Sequence, residues 1–194
     1  MAVTRQQQKE ATRQKIMQAA YAVYASEGFA ATTAAIARQA GVSHGTVFAH
    51  FPTQENLLVC LVESFGAALA GSIHDLAAAG NSVEELLAAH LAILQRQEGF
   101  YTRLVAERSL LPAAVQTTLA STQSALSHHL NIRMSAEIKA GAIKNLPPHL
   151  LFNTWMGLVH YYLLNKDLFS PGAPLLPRYG AELIHAYLAL VKTS

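Results

Sequence analysis

Apolar residues recur every three or four positions along almost the whole chain, which is the spacing of an α-helix. A first stripe of this kind contains Ile16, Ala19, Val23 and Tyr24. Alternating β-branched runs are few and no Asn-Gly or Asp-Gly hairpin pair occurs, so strands are not expected. We therefore predict an all-α protein of nine helices, near residues 5–26, 33–40, 44–50, 54–78, 82–96, 99–109, 112–140, 147–168 and 178–192.

Capping residues, glycines and prolines mark the predicted helix ends. Thr32 or Thr33 can cap the second helix, and Gly41 follows its end. Pro52 separates the third helix from the fourth. Residues 82–85 read S-x-x-E, the sequence of a capping box that opens a helix.

The composition favours a folded protein with a large core, because 52% of the 194 residues are apolar and 13% are charged. The single cysteine, Cys60, lies in the apolar run LLVCLV and is expected in the core. The longest apolar run, from residue 150, is interrupted by Asn153, Thr154 and His160, and no leader is recognisable. We expect a cytoplasmic protein without a membrane span.

The net charge of +2 arises in the first 56 residues, which hold five basic and three acidic side chains. The other 138 residues carry nine of each sign. Four of the five cations, Arg5, Lys9, Arg13 and Lys15, lie near the N-terminus. They can belong to a nucleic-acid contact or to a solvated helix face, and the charges alone do not decide between the two.

The third helix, within AGVSHGTVFAHF at residues 40–51, is too short to be stable alone, and Gly45 weakens it further. Val42, Val47 and Phe51 can pack its back face against Ile36 and Ala40 of the second helix. Two short helices joined by a turn with glycine are typical of a helix-turn-helix motif, whose second helix enters the major groove of DNA.

The outward residues of this helix suit DNA better than an ordinary surface. Ser43 caps the helix, but Thr46 stands where a capping box has a carboxylate that would repel phosphate. Gly45 lets the backbone approach closely, His44 can reach base edges, and His50 is placed for phosphate. Each histidine can also be an ordinary surface residue.

Residues 28–58, GFAATTAAIARQAGVSHGTVFAHFPTQENLL, resemble the DNA-binding module of TetR-family transcriptional regulators. The T-T-x-x-I-A, A-G-V-S-x-G-T and H-F segments match in order. The resemblance implies a three-helix DNA-binding domain at 1–53, and a six-helix domain at 54–194 that binds an effector and dimerises. It further implies a repressor without catalytic residues, cofactor or metal, which binds a near-palindromic double-stranded operator as a homodimer. The implied DNA contacts are Thr33, Ser43, His44, Gly45, Thr46, Phe48, His50 and Gln54.

Two of these positions depart from the family pattern. Phe48 stands where tyrosine is usual and therefore lacks a hydroxyl for phosphate. Gln54 stands where lysine is usual, which removes one phosphate cation and should flatten the salt dependence by roughly one unit. Arg5, Lys9, Arg13 and Lys15 are expected to compensate by reaching the flanking DNA backbone.

The eighth and last helices are apolar on several sides, so a partner subunit is expected to cover them in a two-fold four-helix interface. The predicted interface residues are Phe152, Trp155, Val159, Tyr162, Ile184, Tyr187, Leu188 and Val191. The fourth helix should couple an effector pocket to the DNA module. Candidate pocket residues are Phe65, Leu69, Phe100, Tyr101, Arg103, His128 and Trp155. The aromatic members can equally be core residues, and Arg103 can pair with Glu107. We expect a small, largely apolar or aromatic effector.

The main alternative is a helical-bundle enzyme or a protein that binds a metal or small molecule and has lost DNA binding. A carboxylate-bridged di-iron site needs two E-x-x-H pairs, whereas this chain has one, at Glu182 and His185. His128 and His129 are adjacent in sequence and should face different directions. A metal-sensing regulator stays open, because ligands can converge from separate helices.

Overall fold

The structure, a computed structural model, describes residues 4–193, and within that range it confirms an all-α protein. The described residues form ten α-helices, a 3-10 turn at Arg108–Leu110 and an isolated antiparallel bridge between Ile143 and Lys192. The helices are α1 Arg5–Glu27, α2 Thr33–Ala40, α3 His44–His50, α4 Gln54–Ala78, α5 Val83–Arg96, α6 Glu98–Ala106, α7 Ala113–Lys139, α8 Pro148–Leu164, α9 Lys166–Phe169 and α10 Leu176–Val191.

Hydrogen bonds from polar side chains fix several helix starts where the sequence predicted them. Thr32 caps α2 by accepting from the backbone N–H of Ala35 at 3.2 Å. Ser82 and Glu85 form the predicted capping box at the start of α5. Gly41 ends α2 in the left-handed conformation, with φ 61° and ψ 40°, which glycine adopts without steric cost.

Residues 4–193 contain one α-helix more than predicted, because the helix expected to reach residue 168 ends at Leu164 and α9 follows as a separate short helix. Asn165 lies at the break, and its side-chain amide donates to the carbonyl of Tyr161 at 2.8 Å. Such local bonding by asparagine competes with helix continuation. The helix expected to reach residue 109 similarly ends at Ala106 and continues as the 3-10 turn.

The chain divides into two compact units. The first unit comprises Met1–Ser64 and Gly99–Thr118, and the second comprises Phe65–Glu98 and Leu119–Ser194. The start of α4 and all but the first residue of α6 thus pack with the helix-turn-helix. The boundary predicted between residues 53 and 54 separates a DNA-binding domain from an effector-binding domain by their functions, and it stays a prediction.

Each unit has an apolar core of its own. Fully buried side chains of the first unit include Ile16, Tyr24, Ile36, Val47, Leu57, Leu61 and Phe100. Those of the second unit include Ile73, Leu86, Leu87, Leu130, Trp155, Val159 and Tyr187. Among the described residues, α4 alone is long and apolar enough to span a membrane. Its Leu57, Leu61 and Ile73 are buried within the protein.

Candidate DNA-binding surface and effector domain

The second and third helices form the predicted helix-turn-helix. The backbone N–H of Val42 donates to the carbonyl of Ala37 at 3.0 Å, which closes the turn at Gly41. Val47 is the one fully buried residue of α3, and Ile36 and Ala40 of α2 are also buried. The apolar back face therefore anchors this seven-residue helix and leaves its other face exposed.

Three of the predicted DNA-contact residues form one cluster on this surface. The side-chain atoms His44 Nε2 and Thr33 Oγ1 lie 2.9 Å apart and share a hydrogen bond. The His44 ring also packs edge-to-face on Phe48, with 4.8 Å between the ring centroids. Phe48 is 41% exposed. Contacts from α2 and from the next turn of α3 thus fix the orientation of the His44 imidazole.

The start of α3 is more fully hydrogen-bonded than the sequence suggested. Ser43 Oγ accepts from the backbone N–H of Thr46 at 3.1 Å, and the two hydroxyl oxygens lie 2.8 Å apart. The Thr46 hydroxyl therefore already has a partner. Gly45 lies next to open space, since an added Cβ would approach only Ser43 Oγ, at 3.9 Å.

A basic groove runs between α1 and α3. Its volume is about 710 Å³, and it is lined by Arg5, Gln6, Gln8, Lys9, Thr12, Thr46 and His50. The structure therefore brings the predicted residues Thr46 and His50 together with two cations of the N-terminal segment. Among the described residues, none of those that line this groove is acidic, which suits a negatively charged ligand such as a phosphate backbone.

Arg13 does not belong to the exposed basic segment, contrary to the prediction from sequence. Its guanidinium lies 4.4 Å from the centroid of the Phe51 ring. It also donates to the carbonyl of His50 at 3.4 Å and to Cys60 Sγ at 3.3 Å. Stacking and hydrogen bonds thus hold the half-buried Arg13 against Phe51 and Cys60, whereas Arg5, Lys9 and Lys15 are exposed.

Gln54 likewise bonds inside the first unit. Its side-chain amide donates to the carbonyls of Phe29 at 3.2 Å and Ala31 at 3.0 Å. A carboxylate oxygen of Glu107 accepts from the backbone N–H of Phe29 at 3.0 Å. The amide of Gln54 therefore connects α4 to the loop before α2, so the side chain of this predicted DNA contact already donates to two carbonyls.

The seven candidate effector residues divide between the two units. Phe100, Tyr101 and Arg103 belong to the first unit, where Phe100 packs on Tyr21 with 4.7 Å between ring centroids. Arg103 forms an ion pair with Glu107 at 3.3 Å, as the sequence predicted for the case in which Arg103 does not contact an effector. In the second unit, Phe65, Leu69 and Trp155 are buried and His128 is exposed.

The buried residue His90, which is not among the site residues predicted from sequence, lies beside Trp155. The indole N–H of Trp155 donates to His90 Nδ1 at 3.0 Å, and the Tyr187 ring lies 5.3 Å from the indole. Burial, and secondarily the charge of His160, lowers the pKa of His90 to about 3. Within residues 4–193, His90 Nε2 has no hydrogen-bond partner. The signal available in the sequence was a lone histidine on the apolar face of α5.

The single chain itself covers most of the predicted dimer contacts. Trp155, Val159, Tyr187, Leu188 and Val191 are buried in the second unit, so in this structure they are not available for direct contact with a partner. Phe152 is also buried, and Tyr162 and Ile184 are half-buried. The large apolar side chains that α8 and α10 leave exposed are instead Leu150, Tyr161, Leu164 and Leu190.

Histidines of the second unit lie close together without forming a recognisable metal centre. The rings of His74 and His129 are 5.1 Å apart, and those of His128 and His129 are 5.3 Å apart. Burial and the neighbouring charges of His74 and His128 lower the pKa of His129. Across residues 4–193, no group of three or more potential ligands is arranged to hold a metal ion.

Comparisons with known proteins agree with this geometry. Residues 16–60 match the family model of bacterial regulatory proteins of the tetR family. A TetR-family regulator from Agrobacterium tumefaciens has a similar structure, with a TM-score of 0.78 and 18% identity over 95% of this chain and 100% of that one. The ketosteroid transcriptional regulator KstR2 of Mycobacterium tuberculosis has a TM-score of 0.74 and 18% identity over 94% of this chain and 95% of its own. The regulator FadR of Bacillus subtilis, solved with stearoyl-CoA, has a TM-score of 0.71 and 18% identity over 91% and 97%.

Proposed function

As the chain belongs to the TetR family of DNA-binding transcriptional regulators, we propose that it is a cytoplasmic, homodimeric repressor whose affinity for its operator is controlled by a small effector. The observation that carries the DNA-binding part is the exposed face of α3 beside the basic groove. There the Thr33, His44 and Phe48 cluster can meet base edges while Arg5 and Lys9 meet phosphates.

The partner we propose is near-palindromic double-stranded DNA. A dimer with two-fold symmetry presents two recognition helices to half-sites about 34–36 Å apart, or a multiple of that distance. The exposed apolar side chains Leu150, Tyr161, Leu164 and Leu190 support pairing through the outer faces of α8 and α10. The buried interface residues predicted from sequence would then support this surface from behind.

The effector we propose is small and largely apolar or aromatic, and binds in the second unit. Phe65, Leu69 and Trp155 provide an apolar environment there, and the unpartnered Nε2 of His90 provides one buried polar group. Because His90 Nδ1 accepts from Trp155, Nε2 carries the proton and can donate to an oxygen of the effector. The regulator FadR of Bacillus subtilis was solved with stearoyl-CoA, whose acyl chain is apolar.

The test is selection of duplexes from a random DNA pool by the full chain, followed by titration of the selected duplex and a scrambled one at several salt concentrations. We expect dimeric, sequence-specific binding whose affinity falls steeply with salt, because phosphate contacts release counterions. Lys9→Gln should reduce the salt slope by about one unit, whereas Lys139→Gln, at an exposed lysine of the second unit, should not change it. Failure to enrich any sequence would contradict the proposal and favour a protein that has lost DNA binding.

A further inference from the structure

The first unit contains a cleft that neither the DNA-binding surface nor the second unit accounts for. It has a volume of about 550 Å³, within the range of cavities that bind small organic molecules. Its walls are the loop between α1 and α2, the first turns of α4 and the segment that joins α6 to α7. The lining residues are Phe29, Ala30, Thr53, Gln54, Glu55, Leu58, Glu107, Leu110, Leu111 and Pro112.

Hydrogen bonds and burial hold two walls of this cleft in place. Gln54 donates to the carbonyls of the loop, and Glu107 accepts from the backbone N–H of Phe29. Leu58 and Leu111 are 3% and 4% exposed, so they form a fixed apolar floor. Contacts within the first unit therefore hold these two walls of the cleft in place.

The ionisable side chains that line the cleft are both acidic. Glu55 and Glu107 are its two ionisable side chains, and no basic residue lines it. Arg103 neutralises Glu107 through a 3.3 Å ion pair. Glu55 is exposed and forms no ion pair within residues 4–193, so its negative charge is available to a bound cation.

One apolar side chain is exposed at the rim of the same cleft. Leu110 is 81% exposed, the highest value among the exposed large apolar residues of the described chain. Such a residue beside a carboxylate and an apolar floor matches a ligand with a charged end and an apolar body.

We propose that this cleft binds a small organic cation, a protonated amine attached to an apolar or aromatic group. The ammonium contacts Glu55, and the apolar body lies on Leu58 and Leu111 and is covered by Leu110. All ten lining residues belong to the first unit and none of them lies on α3, so the proposal does not depend on the proposed regulatory function.

The test uses the full chain and three probes of similar size: 2-phenylethylammonium, uncharged 2-phenylethanol and phenylacetate. Binding is measured by calorimetry and by saturation-transfer NMR. We expect 2-phenylethylammonium to bind most tightly, and Glu55→Gln to weaken it about fivefold, a modest effect because the carboxylate is exposed and screened. Glu63→Gln, which removes an exposed carboxylate two turns later on α4, should leave the affinity unchanged.

A second variant tests the volume instead of the charge. Ala30 is exposed in the cleft wall, so Ala30→Trp should fill the space without disturbing the core, and it should abolish binding while the thermal melt stays cooperative. Phenylacetate binding as tightly as the ammonium, equal effects of Glu55→Gln and Glu63→Gln, or absence of saturable binding in the millimolar range would each overturn the proposal.

Discussion

Replacing Gly45 by alanine separates the stability of α3 from its role at DNA. Gly45 does not have a positive φ, and an added Cβ would approach no atom closer than Ser43 Oγ at 3.9 Å. Alanine therefore fits the helix without strain. Because glycine costs roughly 0.5–1 kcal/mol relative to alanine inside a helix, Gly45→Ala should stabilise the protein by that amount. For a chain of this size, the melting temperature should rise by about 1–4 °C.

The same methyl group should weaken DNA binding. In the proposed complex it would stand between the α3 backbone and the groove, so we expect a loss of about tenfold in affinity, or ~1.4 kcal/mol. Thermal melts and fluorescence anisotropy with the selected duplex at fixed salt measure the two effects. Ala49→Gly, at an exposed position of the same helix, is the matched control and should lower the melting temperature. A higher melting temperature with unchanged DNA affinity would refute our account of Gly45.

Two further predictions concern polar groups in the core of the second unit. Burial lowers the pKa of His90 from 6.5 to about 3, so its contribution to the free energy of unfolding is complete above pH 6.5 and is lost as the pH falls towards 3. Urea titrations at neutral and mildly acidic pH should show less pH dependence in His90→Asn, and an unchanged dependence would count against this assignment. Tyr187→Phe removes a buried hydrogen bond of 2.9 Å to the carbonyl of Leu151 and should cost about 1 kcal/mol. Tyr161→Phe, at a side chain that is 58% exposed, should cost almost nothing in the same titration, and equal costs would contradict the reasoning.

The sequence predicted the helices well because local signals determine most of their ends. Thr32, Gly41 and Ser82 act within one turn of the residues that they cap, so their effect can be read without tertiary structure. The break at Asn165 escaped prediction because the apolar pattern continues across it through Leu168. The helix ends there although the apolar pattern continues, and the side-chain amide of Asn165 donates a hydrogen bond to the carbonyl of Tyr161 at this end.

The partners of polar side chains were harder to predict, because they are distant in sequence. Arg13 meets Cys60, which is 47 residues away, and Gln54 meets carbonyls more than 20 residues before it. Periodicity places such residues on the outer half of a helix but does not identify what covers them. The same limit applies to α8, where Trp155 is covered by His90 and Tyr187 of its own chain. An apolar helix face indicates that other residues pack against it, but it does not indicate whether they belong to the same chain or to a partner subunit.

The geometry around His44 gives a physical meaning to one departure from the family pattern. A phenylalanine at position 48 cannot donate to phosphate, but its ring packs edge-to-face on the imidazole, and Thr33 holds Nε2 of the same ring. In the proposed complex, His44 would lose little side-chain freedom on meeting a base because it already makes these two contacts, so ordering it would add little to the entropic cost of binding. Phe48 would thus replace a phosphate contact with better positioning of the neighbouring histidine, which shifts the expected balance at α3 from affinity towards selectivity for sequence.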